Sequence, residues 1–178
     1  ALCGSGALTL ATAEIDFASG IVRTFGFGGS TTMSATTGIF AQGDDSTLDV
    51  GAAALNIETP FIGDRVFPVD PGEAQTIANL SLVYTGALSM TNPVGAAAGS
   101  FDGAPGATIS ISGGSVDISG TTIRATAGTL DIQSDTDITV GDGAVLSTPG
   151  YLKDFGDSSD PFVVSAPGGL VHLTALDG

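Results

Sequence analysis

The chain has one cysteine, one histidine, no tryptophan and only four basic residues among 178 positions. A single cysteine, Cys3, excludes an intrachain disulfide, so no covalent staple holds the fold. The only histidine, His172, lies at the opposite end of the sequence and gives that thiol no base. Arg23, Arg65, Arg124 and Lys153 stand against 19 acidic residues, for a net charge of −15. Nucleic acid and anionic headgroups are bound through clustered Lys and Arg, so this surface repels both. No apolar run reaches the ~18 residues that a membrane-crossing helix needs. The opening ALCGSGALTL lacks the basic and apolar regions of a signal peptide. Low cysteine suits the cytosol and also bacterial proteins that cross the envelope unfolded. The sequence opens and closes inside strand-and-turn patterns, so we expect one segment, 1–178, of a longer chain.

What is present is small, apolar and periodic. Hydrophobic residues make up 42% of the chain, mostly Ala, Val, Ile and Leu, and glycine occurs 27 times. This mixture favours thin strands and tight turns over amphipathic helices. The pattern is clearest around GGSVDISGTTIRATAGTLDIQSDTDITVGDGAVLS, from Gly113 to Ser147. Apolar groups Ile109/Ile111, Val116/Ile118, Ile123, Leu130/Ile132, Ile138/Val140 and Val145 recur at intervals near seven residues. Within a group they alternate with Ser, Asp or Thr, as in a strand with one buried face. Gly113-Gly114, Gly120, Gly128 and Gly141-Asp142-Gly143 punctuate the groups as turns.

Three segments of seven make a coil of about 21 residues. Ile111 then falls over Ile132, Ile118 near Val140 and Ile123 near Val145. Stacking of like on like predicts an all-β chain, a parallel β-solenoid with three sheets. A fainter version of the beat runs through Leu8/Leu10, Ile15/Phe17, Val22, Phe27, Met33, Phe40, Leu48/Val50 and Leu55/Ile57. It resumes at Leu80/Leu82 and Leu88/Met90, and again at Val163 and Val171/Leu173. Three stretches break it: 58–79, 91–107 and 148–161, which we read as insertions leaving the coil at its corners. No amphipathic helix stands at either end to cap the terminal rungs, so neighbouring chain or stacked identical copies would have to cover them.

Little chemistry is on offer. His172 sits in LVHLT, where alternation sets it with Leu170 and Thr174 on one face and Val171 and Leu173 on the other. That places it toward solvent. The chain holds no G-x-S-x-G, P-loop, C-x-x-C or H-E-x-x-H. Acidic clusters occur at Asp44-Asp45, at Asp131, Asp135, Asp137 and Asp142, and at Asp154, Asp157 and Asp160. Paired carboxylates can cleave glycosides, yet tryptophan platforms and basic partners are scarce. DFGDSSD supplies oxygens fit for calcium through Asp154, Asp157 and Asp160, but without EF-hand or nonapeptide-repeat spacing. Paired threonines such as Thr36-Thr37 and Thr121-Thr122 do not recur at one coil position, as an ice-binding ladder would require. We therefore expect no catalytic, cofactor-binding or metal-binding residues and no enzymatic activity.

The stretch from Thr121 to Ala175, with the rung G-T-L-x-I just inside it, carries a resemblance. D-I-x-V-x-D-G-A-x-L, T-P-G-Y-x-K-x-F-G-D and S-A-P-G-G-x-V-x-L-T-A follow that rung. This combination is similar to the long exoproteins of the filamentous haemagglutinin family of Gram-negative bacteria. The resemblance implies a right-handed parallel β-helix, exported by two-partner secretion through an outer-membrane β-barrel partner. It also implies a rod-like shaft at or beyond the cell surface, serving adhesion, aggregation or biofilm. It carries over no catalytic residue. Two other readings remain open from the residues: a β-helix that binds or degrades polysaccharide, and a self-assembling extracellular fibre subunit.

Overall fold

The computed structural model describes residues 6–24, 27–51, 54–65, 77–93, 95–99, 101–154, 160 and 162–177. These contain strands and turns and no helix. In particular, none of the described residues forms a helix long and apolar enough to cross a membrane.

The strands fall into six successive passes. The first holds β1 (Leu8–Phe17) and β2 (Gly20–Arg23), and the second β3 (Ser30–Ala41) and β4 (Ser46–Asp49). The third holds β5 (Ala54–Glu58), β6 (Phe61–Asp64) and β7 (Asn79–Val83), and the fourth β8 (Ala87–Thr91) and β9 (Thr108–Gly113). The fifth holds β10 (Ser115–Ile118), β11 (Thr122–Arg124) and β12 (Thr129–Ser134). The last holds β13 (Ile138–Val140), β14 (Val145–Ser147), β15 (Tyr151–Asp154), β16 (Val163–Ala166) and β17 (Leu170–Ala175).

Each pass lies parallel on the one before it. A nine-stranded sheet curls because β1 and β3 run on round a bend. The first half of β3 pairs with β5 and its second half with β6. One limb continues β5-β8-β10-β13 and the other β6-β11-β14. A separate six-stranded parallel sheet stacks β2-β4-β7-β9-β12-β17. The one antiparallel pair among the described residues is the hairpin β15–β16, which leaves and rejoins the last pass.

Parallel strands in register put like side chains over like. Leu10, Met33, Ile57, Met90, Ile118 and Val140 form one such column. Ile15, Ile39, Ile62, Ile123 and Leu146 form a second. Val22, Leu48, Leu82, Ile111, Ile132 and Leu173 form a third. Their interior members make a single buried cluster. The alternate residues Thr32, Asn56, Ser89 and Asp117 stack on the outward side.

The expected stacks Ile111–Ile132 and Ile118–Val140 are direct register pairs. Ile123 pairs instead with Leu146, one residue beyond Val145, which faces out. The turn through Asp142 and Gly143 holds one residue more than its counterpart in the layer before, six positions from Val140 to Leu146 against five from Ile118 to Ile123, and a one-residue change flips a strand's faces. Spacing also varies more than a fixed 21. Thr129 pairs with Thr108 21 residues earlier, but with Leu170 41 residues later, across the hairpin. β6 lies inside the 58–79 stretch, whose residues 66–76 are outside the described ones, and no strand lies among the described residues of 92–107. Val163 belongs to the antiparallel hairpin and is exposed, so it does not continue the columns.

Removing apolar volume from an interior column leaves a gap that flanking strands cannot close. Ile132→Ala should lower unfolding free energy by about 2–5 kcal/mol in urea titrations. Val140→Ala, at a position 45% exposed on the outermost strand, should cost less than about 1 kcal/mol. Equal losses at the two positions would contradict this packing.

Candidate functional site

Among the described residues, the fourth pass gives no strand to the second limb of the curled sheet. On the first limb β8 separates β5 from β10, whereas on the second β6 pairs directly with β11. The described residues of 92–107 form no strand there, and Phe101 among them lies on the limb's outer side. Phe40 and Phe61 face outward there, yet both are buried, and neither belongs to the aliphatic cluster. Phe101 is what accompanies them: its ring centroid lies 4.7 Å from that of Phe40, edge-on, and 5.1 Å from that of Phe61. Edge-on and tilted packing suits aromatic quadrupoles.

Two of the four basic residues border this aromatic trio. The Arg65 guanidinium lies 4.3 Å from the Phe40 centroid, and that of Arg124 lies 4.9 Å from the Phe61 centroid. Arg65 Nη2 donates to Glu14 Oε1 at 2.5 Å and to Asp16 Oδ1 at 3.3 Å. That hydrogen bond holds the Glu14 carboxyl below its usual range. Arg124 Nη2 donates to the Phe101 carbonyl at 2.6 Å and so pins the strap.

Beneath the strap sits a carboxyl group in a core position. Asp64 stacks in register on Ala41 at the end of the second limb and has no exposed surface. Its Oδ1 accepts the Thr126 N–H at 2.9 Å, while Oδ2 has no hydrogen-bond partner. Burial pushes its carboxyl above the usual aspartate range, opposed by the Thr126 N–H and the Arg124 charge. Gly103 packs directly over it: a Cβ there would overlap Thr126 Oγ1 and lie 2.7 Å from Asp64 Oδ2. Only glycine fits so close an approach.

Beside the strap, Phe101, Asp102, Arg124, Tyr151 and Lys153 line a groove of about 330 Å³. Its ring, acid and basic groups could rest against a polar ligand, but no nucleophile–base pair is assembled there. His172 lies elsewhere, on β17, exposed as expected. Its Nδ1 is 3.2 Å from Asp131 Oδ1, and Thr174 Oγ1 is 3.3 Å from its Nε2. Among the calcium candidates, Asp154 Oδ1 accepts the Phe162 N–H at 2.9 Å across the hairpin, and Asp160 is exposed. Asp157 lies outside the described residues. No group of three metal-ligating side chains converges among the described residues. Neither the aromatic trio nor the buried Asp64 was signalled by sequence. Both depend on which strand is missing from a layer, and no local pattern encodes that.

Two outcomes follow from this arrangement. Phe101→Ala should cost at least about 1 kcal/mol and should release amide protection across the strap while sparing β9 and β12. Because folding raises the Asp64 pKa, its contribution to stability is complete below the ordinary aspartate range, about pH 4. That contribution is lost as pH rises through the folded value. Asp64→Asn keeps an acceptor for Thr126 and removes the charge. The melting-temperature advantage of this variant over the parent should therefore grow from acidic to neutral pH, and a pH-independent difference would contradict a buried, raised carboxyl. No family model, curated protein or solved structure matches the chain.

Proposed function

We propose that the chain is a structural shaft segment of a secreted, adhesin-like bacterial surface protein. In this reading the six passes are the coils of a right-handed parallel β-helix with three sides. The two limbs of the curled sheet and the six-stranded sheet are its faces. The filamentous haemagglutinin resemblance supplies the biological setting. That setting is export through an outer-membrane β-barrel partner to the surface of a Gram-negative cell, and a role in adhesion, aggregation or biofilm.

One observation carries the mechanical part of the reading. The three aliphatic columns run through nearly every pass, while the described acids other than Asp64, the histidine and the aromatic trio lie outside them. A rod built this way resists bending because each layer is hydrogen-bonded to the next along its length. The acidic surface keeps so apolar a body dispersed. Rung upon rung, folding outside the cell would also draw an unfolded chain outward without ATP.

A second reading rests on the groove beside the strap. Tyr151, Asp102 and Lys153 are side chains of the kind that meet sugars. That favours a polysaccharide-binding β-helix over a degrading one.

Pulling the chain from its two ends by force spectroscopy tests the shaft directly. Passes should peel off in unequal steps of about 7–14 nm of extended chain, the shortest where Thr108 and Thr129 pair 21 residues apart and the longest where Thr129 and Leu170 pair 41 apart. Smooth extension without steps would defeat the shaft reading. Product release from acidic polysaccharides would replace it with an enzymatic one.

A further inference from the structure

The groove between the strap and the hairpin β15–β16 lies on the flank of the stack. Arg124 and Thr126 come to it from the fifth pass, Phe101 and Asp102 from the strap, and Tyr151 and Lys153 from β15. The outermost strands of the stack are β13, β14 and β17 at one end and β1 and β2 at the other, and none of their residues lines the groove.

Its charge runs against that of the molecule. Two of the four basic residues line it, with Asp102 the one acid among the described residues that do so. Arg23 and Arg65 are each matched by carboxylates. Arg124 instead meets a carbonyl and a ring: Nη2 donates to the Phe101 carbonyl at 2.6 Å, and the guanidinium lies 4.9 Å from the Phe61 centroid. Its Nε is buried with no hydrogen-bond partner. The near carboxyl is Asp64 behind Gly103, and burial moves that group toward its neutral form. A guanidinium held in place without a carboxylate is preorganised to receive one. On the hairpin, alternation sets Tyr151 and Lys153 on one face and Leu152 and Asp154 on the other. Tyr151 and Lys153 are half-buried, whereas Leu152 and Asp154 are exposed. The hairpin therefore brings a ring and a cation to the groove, while Asp154 accepts the Phe162 N–H.

We infer that this groove binds one carboxylated sugar unit carried on an otherwise neutral glycan. The inference rests on the polysaccharide-binding reading and adds the ligand's charge and its count. Arg124 and Lys153 take the carboxylate, Tyr151 packs against the C–H face of the ring, and Asp102 accepts a hydroxyl. A space of about 330 Å³ suits a sugar unit or two, at the small end of ligand pockets. The net charge of −15 sets the count. One anion is held at contact range by the local cations. Each further carboxylate along the glycan would meet the acidic surface within a Debye length of about 8 Å, so a polyuronate is disfavoured.

Calorimetric titration of the full 178-residue chain tests this. The probes are neutral tetrasaccharides ending in glucuronate or sialate, each beside its methyl ester, and a uronate tetramer. An acid-ended glycan should bind at least about tenfold more tightly than its ester, and added salt should weaken it. The uronate tetramer should bind more weakly than the single-acid glycan at low ionic strength, with the gap narrowing as salt screens the repulsion. Bound glycan should slow amide exchange at 101–103 and 150–153 and leave β5 and β9 unchanged. Arg124→Gln should abolish the preference for acid over ester. Because that change also unpins the strap, Lys153→Gln is the second variant, and it should cut the preference by about threefold with β5 and β9 protection intact.

Equal binding of acid and ester overturns the inference and leaves the polysaccharide-binding reading standing. Tightest binding of the uronate tetramer, or a preference that survives in both variants, does the same. Binding of no glycan, with that protection intact, removes both. Capture of a carboxylate-bearing peptide in place of every glycan would overturn them in favour of a protein partner.

Discussion

Parallel, in-register stacking of short strands is the constraint on which everything else depends. A strand of four or five residues buries too little to stand alone. Here the strands of the middle passes are bonded on both sides, to the pass before and the pass after, and their inward side chains extend columns begun elsewhere. That arrangement explains the composition. Ile, Val and Leu fill the columns, and Ser, Thr and Asp alternate outward. Glycine turns the corners, as at Gly120 with φ of 67° between β10 and β11. Long helices and large aromatic cores have no place in so thin a body. Of the aromatic rings, Phe17 and Tyr84 join the buried cluster, whereas Phe40 and Phe61 lie outside it under Phe101.

The one irregular layer shows what the constraint permits. When the fourth pass skips the second limb, β6 and β11 close directly on each other. The released chain becomes a strap, held by ring packing, by the Arg124 bond to the Phe101 carbonyl and by the close fit of Gly103 over Asp64. The hairpin β15–β16 is the other departure, and it too leaves and returns without disturbing the columns on either side. Excursions of this kind give a repetitive scaffold its individual surface, and the groove between the strap and the hairpin is where that surface is most varied.

Much of the scaffold was legible in the sequence because alternation is a local signal. The pairs Leu130/Ile132 and Ile109/Ile111 announce both a strand and its buried face, and their spacing announces the layer they join. Legibility failed where spacing and alternation parted. One extra turn residue moved the inward position from Val145 to Leu146. Phe40 kept the beat but points outward, because burial under a strap reads in sequence like burial in a column. β6 lies among prolines and charges, in a segment that reads as loop. The site was the least legible part: Phe40, Phe61 and Phe101 are brought together where a strand is missing, and Asp64 at the end of β6 is covered by Gly103 of the strap that replaces it.

The central claim is the parallel register itself, and disulfide trapping measures it most directly. In a Cys3→Ser background, Ser89 and Asp117 face outward on β8 and β10 as direct partners, while Ser115 is two residues out of register with Ser89. Cysteines placed at 89 and 117 lie within bonding range, and cysteines at 89 and 115 lie beyond it. The account predicts rapid, near-complete oxidation of the first pair under mild conditions and little of the second. Preferential cross-linking of 89 with 115, or equal and slow reaction of both pairs, would contradict it.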